Sequence, residues 1–236
     1  GDTILIQRAG DVIPEVVKVI VERRPQDAIS YEIPINCPSC KNEVNRSKDE
    51  VVVRCQNIEC PAQIKGSIVH FVSKNCMDID GFGEKLVYQL VDSNLIKNIA
   101  DIYTLSIEEL SSLDRMAIKS AQNIYSAVEL SKNTTLARFI HGLGIRNIGE
   151  NASKVLEKTF LGSLESLVSA SSEELNNIHE IGETMADSIE RYFNDYSNKV
   201  IIDRCIELGV NFEPIDEISN LDYSEKIFVF TGSLEK

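Results

Sequence analysis

Six cysteines carry the clearest chemical signal in this chain of 236 residues, and four of them form a compact group. Two residues separate Cys37 from Cys40, four separate Cys55 from Cys60, and fourteen lie between the two pairs. Thiol pairs at this spacing typically lie on tight turns that aim both sulfurs at one point. Four thiolates leave a zinc ion no open coordination position, which favours a structural over a catalytic metal. The spacing therefore predicts one structural Zn²⁺ per chain.

Two alternatives to zinc are a pair of disulfides and a set of buried thiols. Nothing in the sequence marks the chain as secreted, which disfavours disulfides. Cys76 and Cys205 have no partner at short spacing, so we expect each to be a small buried residue. His70 follows the last cysteine of the group by ten residues and is expected to be a packed or capping histidine.

A second signal is a repeated turn that combines glycines with a following basic residue. Glycines permit positive φ and leave main-chain N–H groups uncovered. Where such a turn opens a helix, free amides and the positive end of the helix dipole suit a phosphate. Four copies align at separations of 34, 27 and 38 residues, on Gly81-Phe82-Gly83, Arg115-Met116-Ala117, Gly142-Leu143-Gly144 and Glu180-Ile181-Gly182.

The copies differ in how well they suit an anion. The fourth has Thr184 where the others have a basic residue, so we expect it to pack rather than to bind. For any single copy a plain helix–turn–helix linker is the favoured explanation, but four in one frame predict an array of helix–hairpin–helix motifs. The residues predicted to bind phosphate are Gly81, Gly83, Lys85, Arg115, Lys119, Ser120, Gly142, Gly144 and Arg146.

The net charge of −13 and the pI of about 4.7 argue at first against a nucleic-acid partner. The acidity is local, however. Residues 170–225 hold 3 basic and 14 acidic residues, whereas residues 1–75 hold 10 of each. No apolar run approaches the ~20 residues of a membrane helix and the start lacks a signal-peptide pattern. We therefore expect a cytoplasmic protein with no membrane partner.

The ends of the chain have strand character. Thr3–Ile6 and Val16–Val21 are predicted strands joined by a turn-rich connector over 7–14, and they look like the closing part of a sheet or barrel. Residues 226–232 form another predicted strand, followed by a Thr-Gly turn. Together with the helical repeats, these patterns predict a multidomain α+β chain and give both ends the character of a fragment.

The order of these features resembles the C-terminal half of bacterial NAD-dependent DNA ligases, and the resemblance covers essentially the whole chain. The stretches that carry it are the connector over 10–14, the four cysteines, His70-Phe71-Val72-Ser73, Met77-Asp78-Ile79-Asp80-Gly81, Lys119-Ser120-Ala121-Gln122-Asn123, Leu143-Gly144-Ile145-Arg146 and Thr231-Gly232-Ser233-Leu234.

The resemblance implies four parts. They are the C-terminal strands of an oligonucleotide-binding (OB) barrel over 1–34, a four-cysteine zinc finger over 35–75, a helix–hairpin–helix domain over 76–218, and the first strand of a truncated BRCT domain over 226–236. It implies that zinc is held by Cys37, Cys40, Cys55 and Cys60. It also implies that the hairpins over 81–85, 115–120 and 142–146 grip nicked double-stranded DNA by its backbone. Ala117 departs from the family pattern, in which a glycine is usual.

In this family ligation begins with the lysine of a Lys-x-Asp-Gly motif, which attacks NAD. The motif is absent here, because Asp80-Gly81 follows Asp78-Ile79. We therefore expect the chain alone to be inactive, with NAD and Mg²⁺ used only by the full-length enzyme through its N-terminal catalytic half.

Two other functions fit parts of the pattern. One is a non-catalytic, structure-specific DNA-binding module of a repair or recombination protein. The other is a zinc-stabilised protein–protein scaffold, in which the hairpins only stack helices. Salt-dependent binding separates DNA binders from the scaffold, because neutralising phosphates makes the logarithm of the binding constant fall steeply with the logarithm of salt concentration.

Overall fold

A computed structural model describes residues 1–10, 13–45, 52–57, 59–213 and 215. The chain divides into two compact units, residues 1–56 and 57–236, and each is described by itself. The strand predicted over 226–232, and with it the BRCT prediction, lies outside the described residues. So do residues 46–51 of the segment that links the two cysteine pairs.

The first unit contains an antiparallel hairpin of β1 (Ile4–Ala9) and β2 (Ile13–Val19). The two predicted strands are therefore confirmed, but the prediction of a turn-rich connector over 7–14 is wrong. Pairing continues through Arg8 opposite Pro14 to the last pair beside the turn. Proline lacks an N–H, but it is tolerated in a two-stranded ribbon because both strands are edges.

A second, shorter ribbon in this unit brings cysteine-bearing segments together. It pairs β3 (Val44–Asn45) with β4 (Arg54–Cys55) in antiparallel fashion, and Val44 lies opposite Cys55. An isolated bridge between Asn36 and Glu43 extends the same arrangement toward the first cysteine pair. The valine-rich run over 50–55 has strand character in the sequence, and β4 covers its last two residues.

The second unit is mainly helical. Its helices are α1 (Pro61–Phe71), α2 (Glu84–Asp92), α3 (Ile107–Ser111), α4 (Ile118–Ser131), α5 (Leu136–Gly142), α6 (Glu150–Thr159), α7 (Leu164–Ser169), α8 (Ser172–Asn176), α9 (Glu183–Asn194) and α10 (Tyr196–Glu207), with a 3-10 helix over Ile99–Thr104. Among the described residues, none of the helices combines the length and the apolar character that crossing a bilayer requires.

Two short helices are fixed at their starts by reciprocal side-chain caps. At α3 the Ser106 hydroxyl accepts the Glu109 N–H, while the Glu109 carboxylate accepts the Ser106 N–H at 2.8 Å. Ser171 and Glu174 form the same capping box at α8. Hydrogen bonds from the serine N–H and hydroxyl groups hold the pKa of both carboxyls below its usual value. Because five-residue helices are marginal alone, these caps define where α3 and α8 begin.

The end of the described helical region returns to its beginning. Arg204 on α10 places Nη1 2.5 Å from Oδ1 of Asp101 in the 3-10 helix. After α10, β6 (Asn211–Phe212) runs parallel to β5 (Asn133–Thr134), and the Asn211 N–H donates to the Lys132 carbonyl at 2.8 Å. These contacts join segments that are far apart in sequence into one closed unit.

The end of α1 packs at the centre of this unit. Phe71 is fully buried, and its ring meets those of Tyr103 and Phe139 edge-on, with centroids 6.4 and 6.1 Å away. A Cβ added to Gly142 would lie 3.0 Å from Cδ2 of Phe71. Gly142 is itself buried at the end of α5, so its prediction as a phosphate-binding residue is wrong. Its missing side chain leaves room for the Phe71 ring.

Replacing Gly142 with alanine should therefore destabilise the protein. The new methyl group overpacks against Phe71, at an expected cost of about 1–3 kcal/mol in the free energy of unfolding. Gly66→Ala is the matched control, because Gly66 lies in α1, is exposed, and has no atom within 4 Å of an added Cβ. That control should gain about 0.5–1 kcal/mol from better helix propensity. Urea denaturation followed by circular dichroism measures both, and equal effects would contradict the packing argument.

Candidate nucleic-acid interface and metal centre

Four hairpins in the second unit share one backbone geometry, but the third lies five residues later than the sequence frame predicts. Each has a residue with positive φ, then an apolar residue, then the N-cap of a helix. The aligned triplet Gly142-Leu143-Gly144 does not have this form, because Gly142 ends α5. The four hairpins are Gly81-Phe82-Gly83, Arg115-Met116-Ala117, Asn147-Ile148-Gly149 and Glu180-Ile181-Gly182.

Backbone hydrogen bonds show that these four segments are equivalent. In each, the N–H of the central residue donates to the carbonyl three positions earlier, over 3.0–3.2 Å. In each, the N–H four positions after the N-cap donates to the N-cap carbonyl, over 3.0–3.1 Å. The N-caps follow one another at 34, 32 and 33 residues, so the repeat is more regular than the sequence frame. The donor–acceptor pairs of the first type are Phe82–Ile79, Met116–Leu113, Ile148–Ile145 and Ile181–Ile178.

Two residue types hid the third hairpin from the sequence frame. Asn147 takes the positive-φ position with φ of 63°, which asparagine tolerates better than most residues. Ser153 takes the position four after the N-cap, where the other three hairpins have an apolar residue, and it is fully buried. Its hydroxyl donates to the Gly149 carbonyl at 3.0 Å, so the polar group is satisfied inside the core. The asparagine directly before Ile-Gly is the feature of the sequence that indicates a hairpin here.

The helices that open at the hairpins are not capped by side chains. No side-chain hydrogen bond satisfies the first amides of α2, α4, α6 or α9, and among the described helices α1 shares this feature. The remaining five α-helices have serine, threonine or aspartate caps, at Ser106, Thr135, Ser163, Ser171 and Asp195. Side-chain oxygens thus cover the amides of other helices and leave those of the four hairpins available to a ligand.

The N-cap glycines of the hairpins leave open space rather than provide unusual backbone angles. Gly83, Gly149 and Gly182 all have φ between −80° and −93°, which any residue adopts. No atom lies within 4 Å of a Cβ added to any of the three. Ala117 has a φ of −79° in the same position, so the departure from glycine in the second hairpin costs no backbone strain.

The charges around the four N-termini are unequal. The second hairpin has exposed Arg115 and Lys119 and no acidic residue in the first turn of α4. The other three hairpin helices each begin with a glutamate, and Glu150 of the third pairs with Lys154 at 2.6 Å. Lys85, Ser120, Gly144 and Arg146 are exposed, in the first two hairpins and just before the third.

The four predicted metal ligands lie together. The sulfurs of Cys37, Cys40, Cys55 and Cys60 are within 4.8 Å of one another. The Cys40 and Cys55 sulfurs are 3.5 Å apart, close to the ~3.8 Å between two thiolates on a tetrahedral zinc ion. A tight turn aims the first pair, because the Lys41 N–H donates to the Cys37 carbonyl at 2.9 Å. Four soft thiolates fit Zn²⁺, which would act there as a structural cross-link.

The two other cysteines are buried, as predicted. Burial raises the pKa of the Cys205 thiol to about 12 and also raises that of Cys76. His70 is not a ligand of the four-cysteine cluster. Its Nε2 lies 2.7 Å from the His141 carbonyl oxygen, which fits the expectation of a packed histidine.

Three known families of domains and motifs each match one segment of this chain. Residues 36–62 match the NAD-dependent DNA ligase C4 zinc finger domain, a segment that contains all four clustered cysteines. Residues 75–129 match a SAM-like helix-hairpin-helix tandem, and residues 138–202 match a helix-hairpin-helix motif. The two helical matches divide the four hairpins into pairs.

Over its whole length, the chain resembles the C-terminal part of DNA ligases. It is 45% identical over 236 residues to the DNA ligase of Geotalea uraniireducens, covering 100% of this chain and 35% of that ligase. The DNA ligase of Lysinibacillus sphaericus is 43% identical over 241 residues, covering 100% and 36%. That of Geobacter metallireducens is 46% identical, covering 99% and 35%. The chain thus spans about a third of the length of these DNA ligases.

Removing one clustered thiol should remove one zinc ion. Cys40→Ser replaces a soft thiolate ligand with a hydroxyl, so we expect the variant to contain one fewer zinc per chain than the parent. It should also become more sensitive to proteolysis within 36–62, because a segment this short depends on its metal. Inductively coupled plasma mass spectrometry and limited proteolysis measure the two effects. Cys205→Ala, at a buried thiol outside the cluster, should keep the parent zinc content. An unchanged content in Cys40→Ser would contradict the assignment.

Proposed function

We propose that this chain is the DNA-gripping part of an NAD-dependent DNA ligase that seals nicks in duplex DNA. The observation that carries the proposal is the set of four equivalent hairpins whose helices start without side-chain caps. The whole-length similarity to DNA ligases and the match to their zinc finger domain support the same activity.

In this proposal the hairpin amides donate to phosphate oxygens of the DNA backbone. The four helices that follow the hairpins each have nine or more residues. Each adds the positive end of its dipole beside the hairpin amides. The open space at Gly83, Gly149 and Gly182 lets a phosphate approach the backbone closely. Contacts of this kind fix position on the duplex and read no sequence. We therefore propose binding that is independent of base sequence.

The side chains near the hairpins determine how much each contributes. We propose that the second hairpin binds most strongly, because Arg115, Lys119 and Ser120 are exposed with no glutamate in the first turn. Lys85 assists the first hairpin, and Arg146 and Gly144 lie beside the third. The fourth hairpin combines Glu183 with Thr184 and is assigned mainly to packing.

The finer architecture belongs to the same proposal. We assign 1–34 to the end of an OB barrel, 35–75 to the zinc finger, 76–218 to the helix–hairpin–helix domain and 226–236 to the start of a BRCT domain. The β1–β2 hairpin is consistent with the first assignment. We further propose a cytoplasmic location in a bacterial cell.

The nucleotidyl-transfer chemistry is assigned to the part of the enzyme that this chain does not match. The relatives are about three times as long, and the sequence here contains no Lys-x-Asp-Gly. NAD and Mg²⁺ would act in that N-terminal catalytic half. The role proposed for the described hairpins is to hold the nicked duplex while the other half reacts.

Lysine-to-alanine variants test the proposed DNA grip. Lys119→Ala should weaken binding to nicked duplex by about 1 kcal/mol, roughly fivefold. It should also reduce the slope of log K against log salt by about 0.9, because one phosphate contact is lost. Lys158→Ala removes an exposed lysine at the far end of α6 and should change neither quantity. Fluorescence anisotropy on two unrelated duplex sequences provides both numbers. Losses that depend on sequence, or that Lys158→Ala shares, would count against phosphate binding by the hairpins.

A chimera tests the ligase assignment separately. The matched C-terminal third of the Geotalea uraniireducens DNA ligase is replaced by this chain. The chimera should seal a fluorescent nicked duplex, and combining Lys85→Ala with Lys119→Ala should lower sealing severalfold while self-adenylation continues. A chimera that adenylates itself and binds nicked DNA yet seals none would instead favour a non-catalytic DNA-binding module.

A further inference from the structure

A second group of metal-ligating side chains lies in the helical unit, away from the four-cysteine cluster. His70 lies in α1, Cys76 follows that helix, and His141 lies near the end of α5. Candidate ligand atoms of the three side chains lie within 4.8 Å of one another. Cys76 is fully buried, and the two histidines are partly buried. The proposed DNA-gripping function uses none of them.

We propose that His70, Cys76 and His141 form a second zinc-binding site. The Cys76 sulfur lies 3.7 Å from Nε2 of His70. A sulfur and a nitrogen bound to one tetrahedral zinc ion are about 3.6 Å apart, given bonds of about 2.3 and 2.05 Å. This pair is therefore already at coordination distance.

His141 contributes a nitrogen that nothing else satisfies. Its Nδ1 is buried and has no hydrogen-bond partner among the described residues. Buried polar atoms in folded proteins are nearly always partnered. The His70 and His141 rings meet edge-on with centroids 5.0 Å apart. A metal ion would supply the partner that Nδ1 lacks.

The backbone that holds the three donors is firmly fixed. Nε of Arg138 donates to the Cys76 carbonyl at 2.7 Å, and Nη2 donates to the Lys74 carbonyl at the same distance. The Cys76 N–H in turn donates to the Ser73 carbonyl at 2.9 Å. The loop after α1 is thus tied to α5, which bears His141. Donors fixed in advance lose little conformational freedom when a metal binds.

Two glycines adjoin the donor residues of the site. A Cβ at Gly142 would lie 3.4 Å from Cβ of Cys76, and one at Gly144 would lie 3.6 Å from Cδ2 of His70. A Cβ at either position would be in ordinary van der Waals contact with a donor residue. The same glycine that accommodates Phe71 therefore also borders this cluster.

Binding requires a definite change of protonation. His70 Nε2 carries a hydrogen, because it donates to the His141 carbonyl, which only accepts. Coordination through Nε2 breaks this hydrogen bond and moves the hydrogen to Nδ1, with no net change in protons on His70. The Cys76 thiol loses its proton to solvent as the sulfur–metal bond forms, so each ion bound releases one proton. One thiolate and two imidazoles suit zinc and leave a fourth position for water.

Zinc content at a buffered free zinc concentration tests the proposal on the whole chain. The parent should bind two zinc ions, and Cys76→Ala should bind one. Cys205→Ala, the matched loss of a buried thiol outside both clusters, should bind two. Substitution with Co²⁺ gives a second readout, because the sulfur-to-cobalt absorption of Cys76→Ala should fall by about one fifth as five thiolates become four.

Two results would overturn the proposal. One is a parent that binds only the zinc held by Cys37, Cys40, Cys55 and Cys60. The other is a Cys76→Ala variant that still binds two ions. His141→Asn covers the case in which Cys76→Ala fails to fold, and it should also bind one. A second ion retained in a folded His141→Asn chain would identify an adventitious ion only.

Discussion

At each of the four hairpins, a helix approaches its neighbour so closely that one small side chain is sealed completely from solvent. Val87, Ala121, Ser153 and Ala186 occupy this position and all are 0% exposed. Much of the helical unit depends on this close approach. In every hairpin the N–H of this buried residue donates to the N-cap carbonyl, so the packed contact and the hydrogen bond occur at the same point of each turn. The surface that we propose binds phosphate therefore rests on the packing beneath it.

Local chemistry was the part of the structure most accessible from sequence. The four cysteines can be recognised as metal ligands because metal coordination demands thiols at short, fixed spacings. The two cysteines of each pair lie close together in sequence, and the structure brings all four sulfurs together. Three of the four hairpins are likewise predictable from local sequence, through the aligned triplets Gly-Phe-Gly, Arg-Met-Ala and Glu-Ile-Gly. The third was misplaced because a buried serine satisfies its own hydroxyl, a fact that a search for apolar residues cannot reveal.

Contacts between distant segments were less accessible. The sequence predicts that Gly142 is half of a phosphate-binding turn. A glycine that makes room for Phe71 cannot be distinguished in sequence from a glycine that exposes an amide. His70 and Cys76 each seemed ordinary, and only the packing of α5 against α1 brings His141 beside them. The tie from Arg204 to Asp101 spans 103 positions and leaves no local pattern at all. Such features depend on tertiary structure rather than on spacing.

The uncapped helix starts have a consequence for how such a protein can change over evolutionary time. Main-chain amides are present whatever the side chains are, so a surface built from them survives substitutions that would destroy a site made of lysines. The chain is strongly acidic around its fourth hairpin, yet that hairpin has the same turn as the others and an equally buried small side chain, Ala186. Two pairs of hairpins can thus diverge in charge while inheriting one geometry, which leaves one pair free to acquire new partners.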